Sequence, residues 1–185
     1  MNENLDSALT LRYPKIFRNR YGSMSETAMC WGFEHGDGWY NIIDKLCANI
    51  QGHINQSRRR RLDALLYNRA LSRAIKGDMS SYNRMKSWIQ KSIDEDLLDP
   101  EPQLRLVPEA CTQVVASQVK EKFGTLRFYY SGGDEVVHGM VDLAESMSGV
   151  TCEVCGKPGT VRGGGWIQTL CDEHSDGREP AEMGF

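Results

Sequence analysis

Thr125-Leu126-Arg127-Phe128-Tyr129-Tyr130 runs directly into Ser131-Gly132-Gly133-Asp134, and the change of character between them sets the fold class. In the first six residues, side chains alternate between two faces, so Leu126, Phe128 and Tyr130 share one side while Arg127 and Tyr129 share the other. That period of two predicts a strand. Behind the glycine turn, Val137, Met140, Val141, Ala144 and Met147 recur at helical spacing as far as Gly149, so the turn doubles as a helix start. Ahead of it, Val114 to Val119 is rich in β-branched residues and connects through Lys120-Glu121-Lys122-Phe123-Gly124. This predicts the other arm of a hairpin, with a helix as the alternative for that arm.

The first hundred residues read differently. Trp39, Ile42, Ile43, Leu46 and Ile50 predict a helix behind the turn Gly36-Asp37-Gly38, with Asp37 as N-cap, a core Trp and a stop at Gly52. A second helix is expected from Asn55 or Ser57 to Lys76, with Leu62, Leu65, Leu66 and Ile75 on its apolar side. A third is expected from Ser81 to Leu98, with Met85, Trp88, Ile89, Ile93 and Leu97 on one stripe and Pro100 and Pro102 beyond it. Residues 1–35 show little periodicity. The expected fold class is α+β: a helical N-terminal half and a small antiparallel sheet plus helix form a domain over 1–149. A zinc-ribbon or treble-clef-like module over 150–185 packs on it.

At 185 residues, with 40% hydrophobic and 25% charged side chains, the chain has the composition of an ordinary folded protein. The first residues lack the basic start and apolar run of a secretory signal, and no stretch approaches the roughly 20 apolar residues of a membrane span. A cytoplasmic location is therefore expected, where thiols stay reduced and clustered cysteines more often hold metal. The net charge of −3 hides an asymmetry: residues 58–91 carry ten Lys/Arg against Asp63 and Asp78, a local +8 that leaves −11 for the rest. Such a stretch favours phosphate or an acidic partner, or balances its own surface.

The strongest chemical motif is Cys152-x2-Cys155, fifteen residues, then Cys171-x2-His174. Each close pair supplies one edge of a tetrahedron, and the loop between brings the edges together. Gly156 suits the tight turn of a knuckle, and the spacer, with Gly163-Gly164-Gly165-Trp166 at its tip, reads as a small hairpin. One structural zinc per chain is the expected cofactor, with iron as the alternative ion and a disulfide or four unrelated buried residues as the alternatives to a metal. Four protein ligands leave no position for a reacting water, so no catalytic residue is assigned. Cys47 reads as a small core residue beside the apolar stripe of the first helix, and no special role is assigned to Cys30 or Cys111.

Enzymatic signatures are missing from the sequence. No His-x-Glu accompanies the cysteine pair as in zinc deaminases, and no phosphate loop, dinucleotide fingerprint or nucleophile elbow occurs. Scattered His and Asp that converge in space leave a nuclease or other hydrolase as an alternative. Two sets of residues are candidates for ligand binding. Arg58, Arg59, Arg60 and Arg61 open the expected second helix, where their charge conflicts with the macrodipole unless an anion is bound. Lys120, Lys122, Arg127 and Tyr129, with the Ser131-Gly132-Gly133 turn, offer cations, an aromatic face and exposed amides. The plain alternatives are a solvated helix start and a hairpin with a basic outer face.

The segment from Val119 to Asp134, followed by Cys152-Glu153-Val154-Cys155-Gly156 and the run from Gly164 to His174, is similar to small uncharacterised proteins of tailed bacteriophages and prophages. The Gly36-Asp37-Gly38-Trp39-Tyr40 turn resembles their N-terminal half, and the four-arginine run departs from the group. The resemblance implies a phage-type accessory protein acting in bacterial cytoplasm. Its expected function is non-enzymatic: countering host defence by sequestering a nucleotide-like signal or by blocking a host defence protein. Nucleic acid is the alternative partner, through the arginine run and the zinc module. No membrane partner is expected, and the oligomeric state is left open.

Overall fold

Gly52 does not stop the helix that opens behind Trp39. Helix α2, Tyr40–Ala74, runs on for 35 residues where two helices were expected. A helical Gly costs only about 1 kcal/mol against Ala. The buried stripe of Ile43, Leu46, Cys47 and Ile50 continues past Gly52 to Ile54, and its burial outweighs that cost. The structure is a computed structural model that describes residues 1–181. The last four residues of the expected C-terminal module therefore lie outside the described residues. The chain forms two compact units, one of residues 1–54 with the chain from Thr112 onward, the other of Asn55–Cys111. This division differs from the expected boundary between 149 and 150: the metal-motif segment belongs to the first unit.

The first unit begins with α1, Glu3–Arg12, which the weak periodicity of residues 1–35 did not reveal. Asn2 caps it, accepting a hydrogen bond from the Leu5 amide at 3.0 Å. Asp37, expected as the N-cap of the next helix, instead accepts two 2.7 Å hydrogen bonds from the backbone and side chain of Asn2. Three strands form one sheet in the order β1-β2-β3: β1, Phe33–Glu34; β2, Thr112–Lys122; and β3, Thr125–Gly133. Strands β2 and β3 are the predicted antiparallel hairpin, paired from Lys122↔Thr125 to Thr112↔Gly133 with two register shifts. Because β1 joins β2 in parallel, the sheet is mixed and not purely antiparallel.

One face of this sheet is apolar. Phe17 meets Phe33 and Phe128 edge-on, at 5.0 and 6.4 Å between ring centroids. Helix α4, Glu135–Ser148, follows with Asp134 as N-cap, which accepts from the Val137 amide at 3.1 Å and meets His53 Nε2 at 2.8 Å. Helix α4 also satisfies β3's free edge: the Leu126 amide donates to Ser148 Oγ at 2.7 Å and the Phe128 amide to Glu145 Oε1 at 2.9 Å. Two short strands complete the unit as a small hairpin, β4, Thr160–Arg162, and β5, Gln168–Leu170.

The second unit combines the later part of α2 with α3, Ser87–Leu97. Its core is Tyr67, Ala70, Leu71 and Ile93, flanked by Tyr82, Met85, Ile89 and Leu97. The expected apolar side of this helix was the wrong one: Leu62, Leu65, Leu66 and Ile75 are exposed. Tyr67, Ala70 and Leu71 also follow the i, i+3, i+4 rule, and theirs is the face that α3 covers. Helix α3 is shorter than expected, preceded by a separate turn at Tyr82–Arg84, and Trp88 is exposed on it. Beyond α3, Arg105 stacks its guanidinium 3.3 Å from the Tyr67 ring centroid, and Asn68 holds its backbone at both N–H and C=O. Among the described residues no helix is long and apolar enough to cross a membrane.

Candidate metal centre

Cys152, Cys155, Cys171 and His174 come together with one ligand atom from each, all within 4.8 Å of one another. The separations match a tetrahedron. Zinc bonds of about 2.3 Å to sulfur and about 2.0 Å to nitrogen imply edges of roughly 3.8 Å between sulfurs and roughly 3.6 Å from sulfur to nitrogen. Cys155 and Cys171 place their sulfurs 3.7 Å apart, and His174 Nδ1 lies 3.7 Å from Cys152 Sγ and 3.2 Å from Cys171 Sγ. Three thiols and an imidazole at these distances fit one tetrahedral soft-metal ion.

Local backbone chemistry builds each pair. The first is a knuckle in which the Gly156 amide donates to the Cys152 carbonyl at 2.9 Å, with Gly156 at φ +78°, a conformation that favours glycine. The second sits on a 3₁₀ turn, Asp172–His174, whose His174 amide donates to the Cys171 carbonyl. Burial raises the Cys152 thiol, but backbone amides of Cys171, Cys155 and Val154 and the Cys155 thiol outweigh it and bring its pKa to about 6. A thiolate favoured in this way is ready for a cation.

Among the described residues the module's own hydrophobic core is Cys152, Leu170 and Cys171, so its position depends on backbone seats in the rest of the unit. Gly38 donates its amide to the Glu153 carbonyl at 2.7 Å, Gly36 donates to Glu153 Oε1 at 2.9 Å, and Trp39 Nε1 donates to the Thr151 carbonyl at 2.8 Å. A Cβ on Gly38 would lie 2.1 Å from the Cys152 carbonyl oxygen. The Gly36-Asp37-Gly38-Trp39 turn is thus the seat of the knuckle, a role that nothing in its own spacing signals. A second seat is at the tip of the β2–β3 hairpin. There buried Thr169 donates from Oγ1 to the Gly124 carbonyl at 2.6 Å, and Gly124, at φ +79°, has Ile167 and Gln168 against the position of a Cβ.

Comparison of the chain with family models, with curated proteins and with solved structures returned no match. The site therefore rests on its geometry.

The ligand-binding candidates do not form one surface. Arg58, Arg59, Arg60 and Arg61 are exposed in the interior of α2, not at a helix start, so the conflict with the macrodipole does not arise; Arg61 donates to the Pro108 carbonyl at 2.9 Å. Arg127 is spent on structure, with Glu145 at 3.6 Å and hydrogen bonds to Thr125 Oγ1 and the Leu126 carbonyl. Ser131, Gly132 and Gly133 lie at the end of β3 remote from the hairpin tip, roughly 20 Å away along the strand at about 3.3 Å per residue. Their glycines serve packing: a Cβ on Gly132 would lie 2.2 Å from the Gln113 carbonyl oxygen, and one on Gly133 would press on Val137. Lys122 stays exposed at the tip with its Nζ 5.5 Å from the Phe123 ring centroid, and Lys120 lies 5.7 Å from that of Tyr129. Phe123, Trp166 and Ile167 join Lys122 there. The sequence names Gly163–Trp166 as a hairpin tip but does not join it to Phe123, because their proximity depends on the meeting of two hairpins.

Proposed function

We propose that this chain is a non-enzymatic accessory protein of phage type that acts by binding in the bacterial cytoplasm. It counters host defence by sequestering a nucleotide-like signal or by blocking a host protein, and one zinc ion, held by Cys152, Cys155, Cys171 and His174, is structural. The observation that carries this reading is the donor set. Four protein atoms at tetrahedral spacing fill the coordination sphere, so the ion serves to fold the module and to position what surrounds it. The test is mass spectrometry of small molecules released by denaturing protein purified from phage-infected cells, together with metal analysis. One zinc per chain and a released ligand that is chemically unaltered are expected; turnover of that ligand would move the assignment to a hydrolase.

A second reading is favoured by the four exposed guanidiniums of Arg58, Arg59, Arg60 and Arg61, which suit a nucleic-acid backbone. It requires DNA or RNA binding that weakens steeply with salt, and no binding at low salt would eliminate it.

A further inference from the structure

We infer that Phe123 and Trp166 are the walls of a nucleotide-binding cleft, with Lys122 placed for the phosphate. This names a ligand class for the binding function proposed above and rests on that reading. Phe123 and Gly124 form the two-residue turn of the β2–β3 hairpin, both at positive φ, 54° and 79°. Such turns favour Asn-Gly, and a bulky residue in the left-handed region is an outlier. Phe123 accepts that backbone conformation while leaving 69% of its surface exposed, so neither backbone preference nor burial explains an aromatic residue there. Trp166, 67% exposed, is presented the same way from the second hairpin, behind Gly164 and Gly165 at φ +101° and +102°.

With Glu121, Lys122, Gly165 and Ile167, the two rings line a cleft of about 250 Å³. That is below the range of about 300–1,000 Å³ for drug-sized ligands and suits a single planar base with its phosphate outside. The walls are set before a ligand arrives. Thr169 bonds to Gly124 across the two hairpins, Arg178 Nη1 donates to the Trp166 carbonyl at 3.3 Å, and Glu121 Oε1 accepts from the Gly124 amide at 2.7 Å. Aromatic rings carried on backbone held in this way are stacking surfaces for a base, and the Lys122 ammonium supplies the opposite charge for a phosphate. The unit that carries the cleft holds 11 Lys/Arg against 17 Asp/Glu, an acidic surround that opposes a long polyanion more than a mononucleotide.

Isothermal titration of the full-length, zinc-loaded chain with the four ribonucleoside monophosphates tests the cleft, with adenosine, ribose 5-phosphate and a short single-stranded oligonucleotide as comparisons. At least one monophosphate is expected to bind, its nucleoside more weakly and ribose 5-phosphate not at all. Trp166→Ala and Phe123→Ala should each weaken that monophosphate on the order of 5- to 100-fold. Lys122→Ala should bring the monophosphate down to the nucleoside's affinity. Phe123→Asn separates binding from folding, because Asn suits the turn: its melting temperature should equal or exceed that of the parent while binding weakens as it does in Phe123→Ala. No binding of any monophosphate, or binding unaffected by these changes, overturns the cleft, and a tighter oligonucleotide with a steep salt dependence transfers the site to nucleic acid. A non-nucleotide ligand that copurifies and persists in the Trp166→Ala protein removes the cleft and leaves the binding function standing. Absence of both copurified ligand and nucleotide binding removes both.

Discussion

Replacing Gly38 by Ala places a methyl carbon 2.1 Å from the Cys152 carbonyl oxygen, 2.5 Å from the Gly156 amide nitrogen and 2.7 Å from the Glu153 carbonyl oxygen. All three neighbours are backbone, so no side chain can swing aside and the knuckle must retreat by about 1 Å to restore contact distances of about 3 Å. Overpacking of this kind costs about 1–3 kcal/mol. The retreat also breaks the 2.7 Å hydrogen bond from Gly38 to Glu153, a further loss of about 1 kcal/mol. Reduced unfolded-state freedom returns about 0.5–1 kcal/mol, which leaves a net loss of about 1–3.5 kcal/mol. Since the shifted peptide units hold Cys152 and Cys155, about 2 kcal/mol carried to the ion lowers its affinity roughly 30-fold. Gly52→Ala is the control: it lies exposed within α2 with no atom within 4 Å of an added Cβ, and should stabilise by about 0.5–1 kcal/mol. Urea unfolding followed by circular dichroism, with metal release to a colorimetric chelator, measures both. A Gly38→Ala protein that lies within about 0.5 kcal/mol of the parent and releases metal at the same affinity would refute the role of Gly38 as the knuckle's seat.

Cys155→Ser should purify with well under one zinc per chain, and full retention by metal analysis would refute the ligand set. Burial holds the His35 pKa at about 4, against 6.5 when exposed, and its Nε2 has no hydrogen-bond partner among the described residues. The unfolded chain therefore takes up the proton first, so stability falls as pH drops from 6.5 toward 4, by at most about 3 kcal/mol. His35→Gln should flatten that part of the unfolding profile, and an unchanged slope would refute the assignment. Asn68→Ala removes both hydrogen bonds to the Arg105 backbone, at 2.8 and 2.9 Å, with a loss of about 1–2 kcal/mol and faster amide exchange at Arg105. Unchanged exchange there would show that the Arg105 stack on Tyr67 suffices.

Local periodicity carried the elements whose neighbours in space are also neighbours in sequence. The β2–β3 hairpin, the helix start behind the Ser131–Asp134 turn and the β4–β5 hairpin were legible because turn residues and side-chain alternation encode them directly. The metal centre was legible because two close pairs of ligands need only one loop between them. What could not be read depends on packing partners. Gly52 has the same local signature whether a helix stops or continues, and the burial of Ile50 and Ile54 settles it. Leu62, Leu65 and Leu66 satisfy helical periodicity as well as Tyr67, Ala70 and Leu71 do, and only the position of Ile93 selects between the faces. Strand β1 is two residues long and parallel to β2, a pairing no local pattern announces.

The glycines of the two seats link the metal to the cleft. A hydrophobic cluster of three residues cannot fold the module unaided, whereas structural zinc contributes about 10–16 kcal/mol of binding free energy in small zinc-folded peptides. On the proposed reading a bound ion would keep β4 and β5 in register, and that register presents Thr169 to the Gly124 carbonyl and holds Trp166 beside Phe123. Chelation removes one wall and leaves the other, since Phe123 belongs to a hairpin whose edge is secured by Ser148 and Glu145 of α4. Metal-free protein should accordingly keep most of its helical circular dichroism while losing nucleotide affinity as fully as Trp166→Ala does. Retained affinity after verified zinc removal would mean that the second hairpin is positioned without the ion, and the structural role assigned to the metal would be wrong.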